Sequence, residues 1–279
     1  MILTWHLNPV AFHVPFIGYP IRWYGIMYVV AFIIFLFWSW QNFKYIKDYK
    51  DPRTKTTHRR FYKDYSEWET IAFIGFLFGI LGGRISHFAF FNPQPLIDDW
   101  TEIFRIWNGG MAIQGGFTAA IIYSIYTHWK NKRHLWVTAD CITAPLAFAF
   151  GIGRIGNITN GELAGKPTNG DWGMIFPHID EVVRHVPPVY ELVGYMLIVA
   201  LTTYLFIYWK SRPTGILFPI SIIGAAVWRF FVEYYKVSPL NVGPFTSGQV
   251  LCLVLTLSGI IITIWLLKDP IRIELDRKN

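Results

Sequence analysis

Seven apolar stretches, each about 20 residues long, make up most of this 279-residue sequence. A helix of about 20 apolar residues is long enough to cross the hydrocarbon core of a membrane, which is about 30 Å thick. The stretches lie roughly at 20–40, 70–91, 110–128, 138–158, 190–209, 215–235 and 247–267. The sequence therefore predicts an all-α integral membrane protein with about seven transmembrane helices, folded as a single polytopic membrane domain over 1–279.

The composition excludes most soluble classes. Charged residues make up 15% of the chain, whereas a soluble domain carries about 25%. The 13 tryptophans and 15 tyrosines suit a protein with aromatic belts at both membrane interfaces. Cys141 and Cys252 lie in apolar runs, which argues against a disulfide scaffold. The N-terminus lacks the basic region and cleavage site of a signal peptide, so we expect the first span to be retained.

The basic residues predict the orientation. Seventeen of the 25 lysines and arginines fall on one side, in the 41–69 loop, the 129–137 loop, the 210–214 turn and the C-terminal tail, and five fall on the other. By the positive-inside rule the seventeen are cytoplasmic, which places the N-terminus outside and the C-terminus inside. The net charge of +7 then reflects topology and contact with anionic membrane lipid, and we predict no nucleic-acid partner.

Three arginines remain inside predicted spans. Arg84, Arg154 and Arg229 lie in the second, fourth and sixth stretches, each near the outer end. A buried arginine costs several kcal/mol, estimated from about 2.5 to above 10. One interpretation is a cationic pocket for a phosphate that enters from the outer leaflet, since guanidinium stays charged and offers bidentate donors. The alternative is snorkelling or structural ion pairing. Polar partners stand nearby in the sequence: Asn157, Glu162, Glu191 and Glu233.

The segment GRIGNITNGELAG, Gly153–Gly165, resembles the GRxGNFxNxExxG signature of the prolipoprotein diacylglyceryl transferase family. Further blocks resemble the family in the same order. They are Ile21–Tyr28, Gly82–Phe91, Trp107–Gly116, Arg184–Glu191, Trp228–Tyr235 and Ser247–Gln249. The resemblance covers most of the chain and leaves out the 41–69 loop and the tail.

The resemblance implies a multi-pass enzyme of the bacterial inner (plasma) membrane. Such an enzyme transfers the diacylglyceryl group of phosphatidylglycerol to the lipobox cysteine that follows a prolipoprotein signal peptide. The products are a thioether and glycerol phosphate. No cofactor or metal is implied, and the sequence contains no metal-ligand spacing.

The resemblance also implies roles for individual residues. Arg154 and Arg229 are the expected essential pair on the phosphate. The expected pocket and substrate-binding residues are Asn157, Asn160, Glu162, Gly165, His185, Glu191 and Glu233. Tyr24 matches a functional tyrosine, although a tyrosine of the interfacial belt would look the same. Arg84 is either a third phosphate ligand or an ion-pair partner. The outer segment 159–189 is expected to form a small head that receives the peptide.

The sequence departs from the family pattern at the expected base. Gln114 stands where the family has a histidine proposed to deprotonate the thiol, and Ala225 stands where it usually has a tyrosine. A free cysteine has a pKa of about 8.5, so fast attack near neutral pH needs a base or a cationic site. Glutamine cannot accept the proton but can orient a group by hydrogen bonding.

Three explanations for Gln114 are open. The arginines alone lower the pKa of the thiol, or His87, three residues beyond Arg84, replaces the base, or the chain is a divergent lipid-binding paralogue with little activity. His87 also fits an ordinary interfacial histidine. A transporter is a further class, but the sequence shows no duplicated halves of the kind many transporters have. Asp140 is expected to be a helix cap or loop partner.

Overall fold

The computed structural model describes residues 2–16, 18–44, 47–50, 57–60, 62, 64–105, 110–131, 133–170, 172–238 and 240–268. The predicted basic tail beyond Lys268 and part of the basic 41–69 loop lie outside these residues.

The described chain is mostly helical. The helices are α1 (Trp23–Lys44), α2 (Tyr65–Phe90), α3 (Gln94–Asp98), α4 (Ile113–Lys130), α5 (Leu135–Thr159), α6 (Pro187–Tyr208), α7 (Leu217–Val232) and α8 (Ser247–Lys268). Two 3₁₀ turns add Trp100–Phe104 and Glu233–Tyr235. Each predicted span corresponds to one of the long helices, with boundaries that differ by a few residues.

Six helices of the described chain are long and apolar enough to cross a membrane: α1, α2, α5, α6, α7 with its 3₁₀ extension, and α8. The prediction of a mostly helical, multi-pass membrane protein is confirmed. The third predicted span forms α4, but Gln114, His128 and Lys130 lower its hydropathy, and it is not among the six. A count of seven spans and the orientation stay predictions.

The apolar side chains of these helices largely point outward. On α8, for example, Leu257 is 60% exposed and Ile261 is 66% exposed. A soluble protein rarely exposes large apolar patches of this kind, whereas lipid solvates them. Helix α5 differs, because 56% of its apolar window is buried, against 17–28% for the other five candidate spans. The most enclosed helix is therefore the one that carries Arg154.

The chain divides into two compact groups, Met1–Ile46 with Trp136–Asn279, and Lys47–Leu135. In the first group α6 packs on α7 and α7 packs on α8. Close approach needs small residues at these contacts. A Cβ on Gly194 of α6 would lie 2.2 Å from the Trp228 ring of α7, and one on Gly259 of α8 would lie 2.6 Å from Ile223.

Short strands of the first group form three small sheets. Strands β1 (Ile2–Thr4), β6 (Gly173–Ile175) and β7 (Val183–Arg184) make one sheet, in which β1 is parallel to β6 and β7 is antiparallel to it. The register pairs Ile2 with Gly173 and Thr4 with Ile175. Two hairpins join β2 (Val10–His13) to β3 (Pro20–Arg22) and β8 (Asn241–Val242) to β9 (Phe245–Thr246). The segment predicted as a head thus includes two strands and recruits a third from the N-terminal end.

Trp5, just after β1, reinforces this sheet. Its indole N–H donates to the carbonyl of Ile158 in the last turn of α5, at 2.9 Å. Its ring also packs edge-on against His178, whose Nε2 donates to the carbonyl of Gly161 at 3.0 Å. Gly161 has a φ of +68°, and a Cβ there would lie 2.9 Å from both rings. A glycine is therefore required where the chain leaves α5.

Asp140 lies near the other end of α5, and the prediction that it is a loop partner is confirmed. Its carboxylate accepts hydrogen bonds from the backbone N–H groups of Gly215 and Leu217, at 2.9 and 3.0 Å, where α7 begins. The same carboxylate faces Arg212 Nε at 3.6 Å. Asp140 therefore holds the α6–α7 turn against α5.

The second group is built on α2 and α4. A Cβ on Gly82 would lie 2.4 Å from Ala119 Cβ, and one on Gly115 would lie 2.1 Å from Ser86 Cβ. The two helices therefore meet backbone to backbone along a face of small residues. The group also contains an antiparallel strand pair, β4 (Lys47–Lys50) with β5 (Thr57–Arg60).

Candidate active site

Glu191 is the centre of a buried charge cluster in the first group. It stands in the second turn of α6, and its side chain is 2% exposed. One carboxylate oxygen lies 2.7 Å from Arg154 Nε. The other lies 2.6 Å from Lys236 Nζ and 3.9 Å from Arg229 Nε. Three cations from three different segments therefore converge on one carboxylate.

Glu233 supplies the second carboxylate of the cluster. One of its oxygens lies 3.2 Å from Arg229 Nε and 2.9 Å from Lys236 Nζ. Arg229 and Glu233 are four residues apart on consecutive helical turns, so the pairing expected from the sequence is confirmed. Lys236 follows the 3₁₀ turn and reaches back to both carboxylates.

The exposure of the two arginines differs. The Arg154 side chain is 16% exposed and the Arg229 side chain 37%, whereas Glu233 is 7% exposed. Three cations and two carboxylates give the cluster a formal charge of +1. Buried charges persist when paired, and this set keeps one unmatched positive charge with a partly open guanidinium. Such a positive, partly open arrangement suits an anion.

Asparagines extend the cluster along the end of α5. Arg154 Nη1 donates to Asn157 Oδ1 at 3.1 Å, and Asn157 Nδ2 donates to Glu162 at 3.2 Å. Asn160 Nδ2 donates to the other oxygen of Glu162 at 2.8 Å. The signature residues therefore form one hydrogen-bonded chain that fixes the direction of the Arg154 guanidinium.

Gly165 ties three segments of the site together. Its N–H donates to the carbonyl of His185 at 2.9 Å, and the next residue, Lys166, donates from its backbone N–H to the carbonyl of Tyr235 at 2.8 Å. The Gly165 carbonyl accepts from Arg184 Nη1 at 3.0 Å. A Cβ on Gly165 would lie 2.6 Å from the carbonyl oxygen of Tyr235 and 2.8 Å from that of His185. Glycine is therefore needed at position 165, where the signature segment meets His185, just before α6, and Tyr235, just after α7.

Two further glycines make room for functional side chains. A Cβ on Gly156 of α5 would lie 2.7 Å from the Tyr24 ring, so this glycine lets α1 bring Tyr24 against the signature helix. The Tyr24 hydroxyl shares a 2.8 Å hydrogen bond with Tyr28. A Cβ on Gly248 of α8 would lie 2.4 Å from a Glu233 carboxylate oxygen. Gly248, in the Ser247–Gln249 block, thus leaves the space that the Glu233 carboxylate occupies.

Four aromatic side chains adjoin the cluster. Trp172, His185, Tyr190 and Tyr235 contact one another with centroid distances from 4.7 to 6.2 Å. His185 Nδ1 and the Tyr190 hydroxyl share a hydrogen bond of 2.9 Å. Partial burial lowers the pKa of His185 below its usual value, so the ring is neutral at pH 7.

In the second group, Arg84 is a structural centre. It is 1% exposed. Its guanidinium donates to the carbonyls of Ile103 at 3.3 Å, Gly110 at 3.2 Å, and Glu102. It also lies 3.7 Å from the Glu102 carboxylate. These contacts favour the ion-pair alternative for Arg84, in which it fastens the segment after α3 to the C-terminal part of α2.

His87 and Gln114 belong to the same group. Gly110, with a φ of +77°, packs against His87, and a Cβ there would lie 2.7 Å from His87 Nε2. Gln114 is exposed in the first turn of α4, four residues further along. His87 therefore lies against the loop that leads into α4, in whose first turn Gln114 replaces the family histidine. Residues 106–109 of this loop lie outside the described chain.

Comparison with known proteins agrees with the signature and its geometry. Residues 9–265 match the family model for prolipoprotein diacylglyceryl transferase. The chain belongs to this family. Among its relatives is a protein named phosphatidylglycerol–prolipoprotein diacylglyceryl transferase from Haemophilus influenzae (strain 86-028NP), 33% identical over 95% of this chain and 94% of its own length. Proteins of that name from Actinobacillus pleuropneumoniae serotype 3 (strain JL03) and Aliivibrio salmonicida (strain LFI1238) are 34% and 30% identical, over 93% and 94% of this chain and 94% and 89% of their own lengths.

Within this member of the family, the structure brings together most of the residues expected from the sequence and adds Lys236. The cluster and its extensions contain Arg154, Asn157, Asn160, Glu162, Glu191, Arg229 and Glu233. Sequence reasoning treated Lys236 as an ordinary basic residue on the outer side. Its spacing of three residues after Glu233 was the available signal. In the described residues no group of three His, Cys, Asp or Glu side chains is placed to hold a metal ion.

Proposed function

We propose that this protein transfers the diacylglyceryl group of phosphatidylglycerol to the lipobox cysteine of a prolipoprotein. The relatives' names give the two substrates. The observation that carries the proposal for this chain is the buried convergence of Arg154, Arg229 and Lys236 on Glu191. It supplies the one feature this reaction needs most, a preorganised cationic site for a phosphate.

The reaction breaks one bond and forms one. The thiolate sulfur attacks the glyceryl carbon that bears the phosphate. A C–S bond forms, and the bond between that carbon and the phosphate-ester oxygen breaks. Glycerol phosphate leaves with the electron pair, and the thiol proton passes to a base. The phosphate changes from a monoanionic diester into a monoester of about −1.5 to −2 charge at pH 7.

The charge cluster fits this change. It carries a formal charge of +1 before substrate binds, which matches the single charge of the diester. As the second charge develops, Arg154, Arg229 and Lys236 are already in place to stabilise it, so little reorganisation is needed. Glu191 and Glu233 offset the repulsion among the three cations that pair with them. Arg229, the more exposed arginine, is the proposed first contact for the lipid headgroup.

We assign the supporting roles as follows. Asn157, Asn160 and Glu162 orient Arg154, Gly165 positions the segment, and Tyr24 lines the site from α1. Arg84 acts through the loop it holds rather than on the phosphate. The chain spans the bacterial inner membrane seven times, α4 being the third span, with its N-terminus outside and its C-terminus cytoplasmic. The segment 159–189 is then an extracytoplasmic head over the cluster.

For the thiol proton we propose His87 as the base. It lies against Gly110, four residues before Gln114, which stands in the first turn of α4 where the family has a histidine. Gln114 then orients the incoming group. The decisive comparison is His87→Ala against His87→Gln and Gln114→His/His87→Ala. A histidine restored at position 114 should recover the rate lost in His87→Ala. A fully active His87→Ala enzyme would rule the assignment out and leave the cationic cluster as the only activator.

The proposal as a whole is tested by turnover. Protein purified in detergent is given phosphatidylglycerol and a lipobox peptide, and the diacylglyceryl mass gain on the cysteine is measured. Arg154→Ala and Arg229→Ala should each lower the rate at least about 100-fold, as for loss of one transition-state donor. Arg22→Ala, at an exposed arginine outside the cluster, is the matched control and should retain the rate.

Because Gln114 replaces the family histidine, lipid binding without transfer is the second candidate function. A wild-type protein that binds phosphatidylglycerol but yields no mass gain would be a lipid-binding paralogue. Lipid binding is therefore measured beside turnover, with Arg154→Ala as the reference for a lost phosphate site.

A further inference from the structure

Two tyrosines in the first two turns of α1 are joined by their hydroxyl groups. Tyr24 and Tyr28 are four residues apart, so their side chains are neighbours on one side of the helix. Their hydroxyl oxygens are 2.8 Å apart, and their rings meet edge to face with centroids 4.8 Å apart. A change at one hydroxyl therefore reaches the other.

The Tyr24 end of this pair borders the charge cluster. The Tyr24 ring packs on Gly156, where a Cβ would lie 2.7 Å from it. On α5, Gly156 stands between Arg154 and Asn157, which share a hydrogen bond of 3.1 Å. The Tyr24 phenol also interacts electrostatically with Arg154 and Glu162. A phosphate bound by Arg154 would therefore lie on the side of Tyr24.

The pair has one more proton to donate than the protein has acceptors for it. Each phenol carries one O–H donor, and within the described residues the bond between Tyr24 and Tyr28 is the only hydrogen bond that either hydroxyl makes. One proton is used in that bond, and the other is left for a ligand. A donor without an acceptor at membrane depth is costly, so an anionic oxygen that arrives there is bound favourably.

We infer that Tyr28 is a positioning residue that acts through Tyr24. Its hydroxyl donates to the Tyr24 oxygen, so the Tyr24 hydroxyl donates to a phosphate oxygen of the lipid headgroup. Hydrogen bonds in such a chain polarise one another, which makes Tyr24 a stronger donor to a charged oxygen. The inference rests on the proposed function, which brings the headgroup of phosphatidylglycerol to Arg154.

The test measures binding without turnover. Purified full-length protein in detergent is titrated with phosphatidylglycerol and with diacylglycerol of the same acyl chains, and the bound fraction is measured by native mass spectrometry. Diacylglycerol lacks the phosphate, so it reports contacts with the glyceryl and acyl groups alone. Glycerol phosphate is the third ligand, and it reports whether a phosphate ester is recognised without the lipid.

The two hydroxyls are removed one at a time and together. Tyr24→Phe should weaken phosphatidylglycerol binding about tenfold, as for loss of one hydrogen bond to a charged group. Tyr28→Phe should weaken it about threefold, because the Tyr24 hydroxyl remains but is no longer oriented or polarised. The double variant should lose no more than Tyr24→Phe, since Tyr28 acts through Tyr24. The affinity for diacylglycerol should stay unchanged in all three variants.

The chain offers a matched control. Tyr204 and Tyr208 of α6 are a second tyrosine pair four residues apart, with ring centroids 4.8 Å apart and Tyr208 66% exposed. They stand at the opposite end of α6 from Glu191. Tyr208→Phe should therefore leave all three affinities unchanged. Thermal unfolding of each variant shows whether it is folded.

Four results would overturn the inference. A Tyr28→Phe protein with wild-type affinity for phosphatidylglycerol would show that the hydroxyl is not needed, and one with higher affinity would show that Tyr24 donates to Tyr28 instead. Equal losses for phosphatidylglycerol and diacylglycerol would assign the pair to an interfacial aromatic belt. Glycerol phosphate that binds as tightly as phosphatidylglycerol would assign it to a free phosphate ester.

The transferase proposal fails separately. A protein that shows the predicted effect of Tyr28→Phe on lipid binding but transfers no lipid would refute the transferase and keep the inference. An active enzyme whose affinity for phosphatidylglycerol is indifferent to Tyr28→Phe would do the reverse.

Discussion

Replacing Glu191 with glutamine tests whether the buried carboxylate organises the site. The substitution keeps the shape of the side chain and removes its charge. Arg154 would lose its ion pair, Arg229 and Lys236 would keep Glu233, and the formal charge of the cluster would rise from +1 to +2. Two contacts shorter than 3 Å, to Arg154 at 2.7 Å and to Lys236 at 2.6 Å, would lose their attraction.

The expected loss of stability is large. Removing one partner of a buried, paired charge typically costs about 3–5 kcal/mol. At 2% exposure the Glu191 side chain has little water to compensate. In a chain of this size about 1 kcal/mol shifts the unfolding midpoint by about 2–4 °C, so we expect Glu191→Gln to lower Tm by about 10 °C.

The assay follows from the two cysteines. Cys141 and Cys252 are both buried free thiols, so a thiol-reactive fluorogenic dye reports unfolding. Glu181→Gln, at an exposed glutamate of the head segment, is the control and should leave Tm unchanged. Lys236→Met in a double-mutant cycle with Glu191→Gln should give a coupling of about 0.5–3 kcal/mol, as for contacting residues.

A Glu191→Gln protein with the wild-type Tm would refute this reasoning. It would mean that the three cations are held by the surrounding backbone rather than by the carboxylate. Additive effects of Glu191→Gln and Lys236→Met would refute the direct pair in particular.

Three other predictions rest on local geometry. Gly165→Ala should destabilise the protein by about 1–3 kcal/mol through overpacking, whereas Gly153→Ala, with open space around it, should leave Tm unchanged or raise it; thermal unfolding decides. The hydrogen bond from Arg184 lowers the pKa of Asp180, so the pair stabilises the fold above about pH 4 and this stabilisation is lost as pH falls further. The Tm difference between wild type and Asp180→Asn should therefore shrink below that pH. Gly115→Ala should force α4 away from α2 and lower Tm, since the added Cβ would lie 2.1 Å from an α2 side chain; an unchanged Tm would contradict this.

The pairs close in sequence were predictable, because helical spacing brings them together. Arg229 with Glu233 and Arg154 with Asn157 are four and three residues apart. The central role of Glu191 was not predictable in this way. Its partners come from α5, from α7 and from the residue after the 3₁₀ turn, and only the packing of these segments brings them to one carboxylate. Lys236 was missed for a related reason, since a lysine beyond the end of a span resembles any interfacial cation.

The fold shows the same division. Hydropathy located every long helix, because burial in lipid imposes an apolar length on each. The strands were not foreseen, since each has only two to four residues and their pairing partners are distant. Arg84 illustrates the limit for single residues: its sequence position resembles that of Arg154, but its donors bind the carbonyls of Glu102, Ile103 and Gly110.

The β1–β6 pairing has a consequence for the order of biogenesis. Residues 2–4 are synthesised long before residues 173–175, with which they pair, and the hydrogen-bond partner of Trp5 follows 153 positions later. Strand β1 must therefore stay unpaired until α1, α2, α4 and α5 have been synthesised. An affinity tag fused before β1 would lie next to this long-range pairing, so a tag after α8 is the better choice for purification.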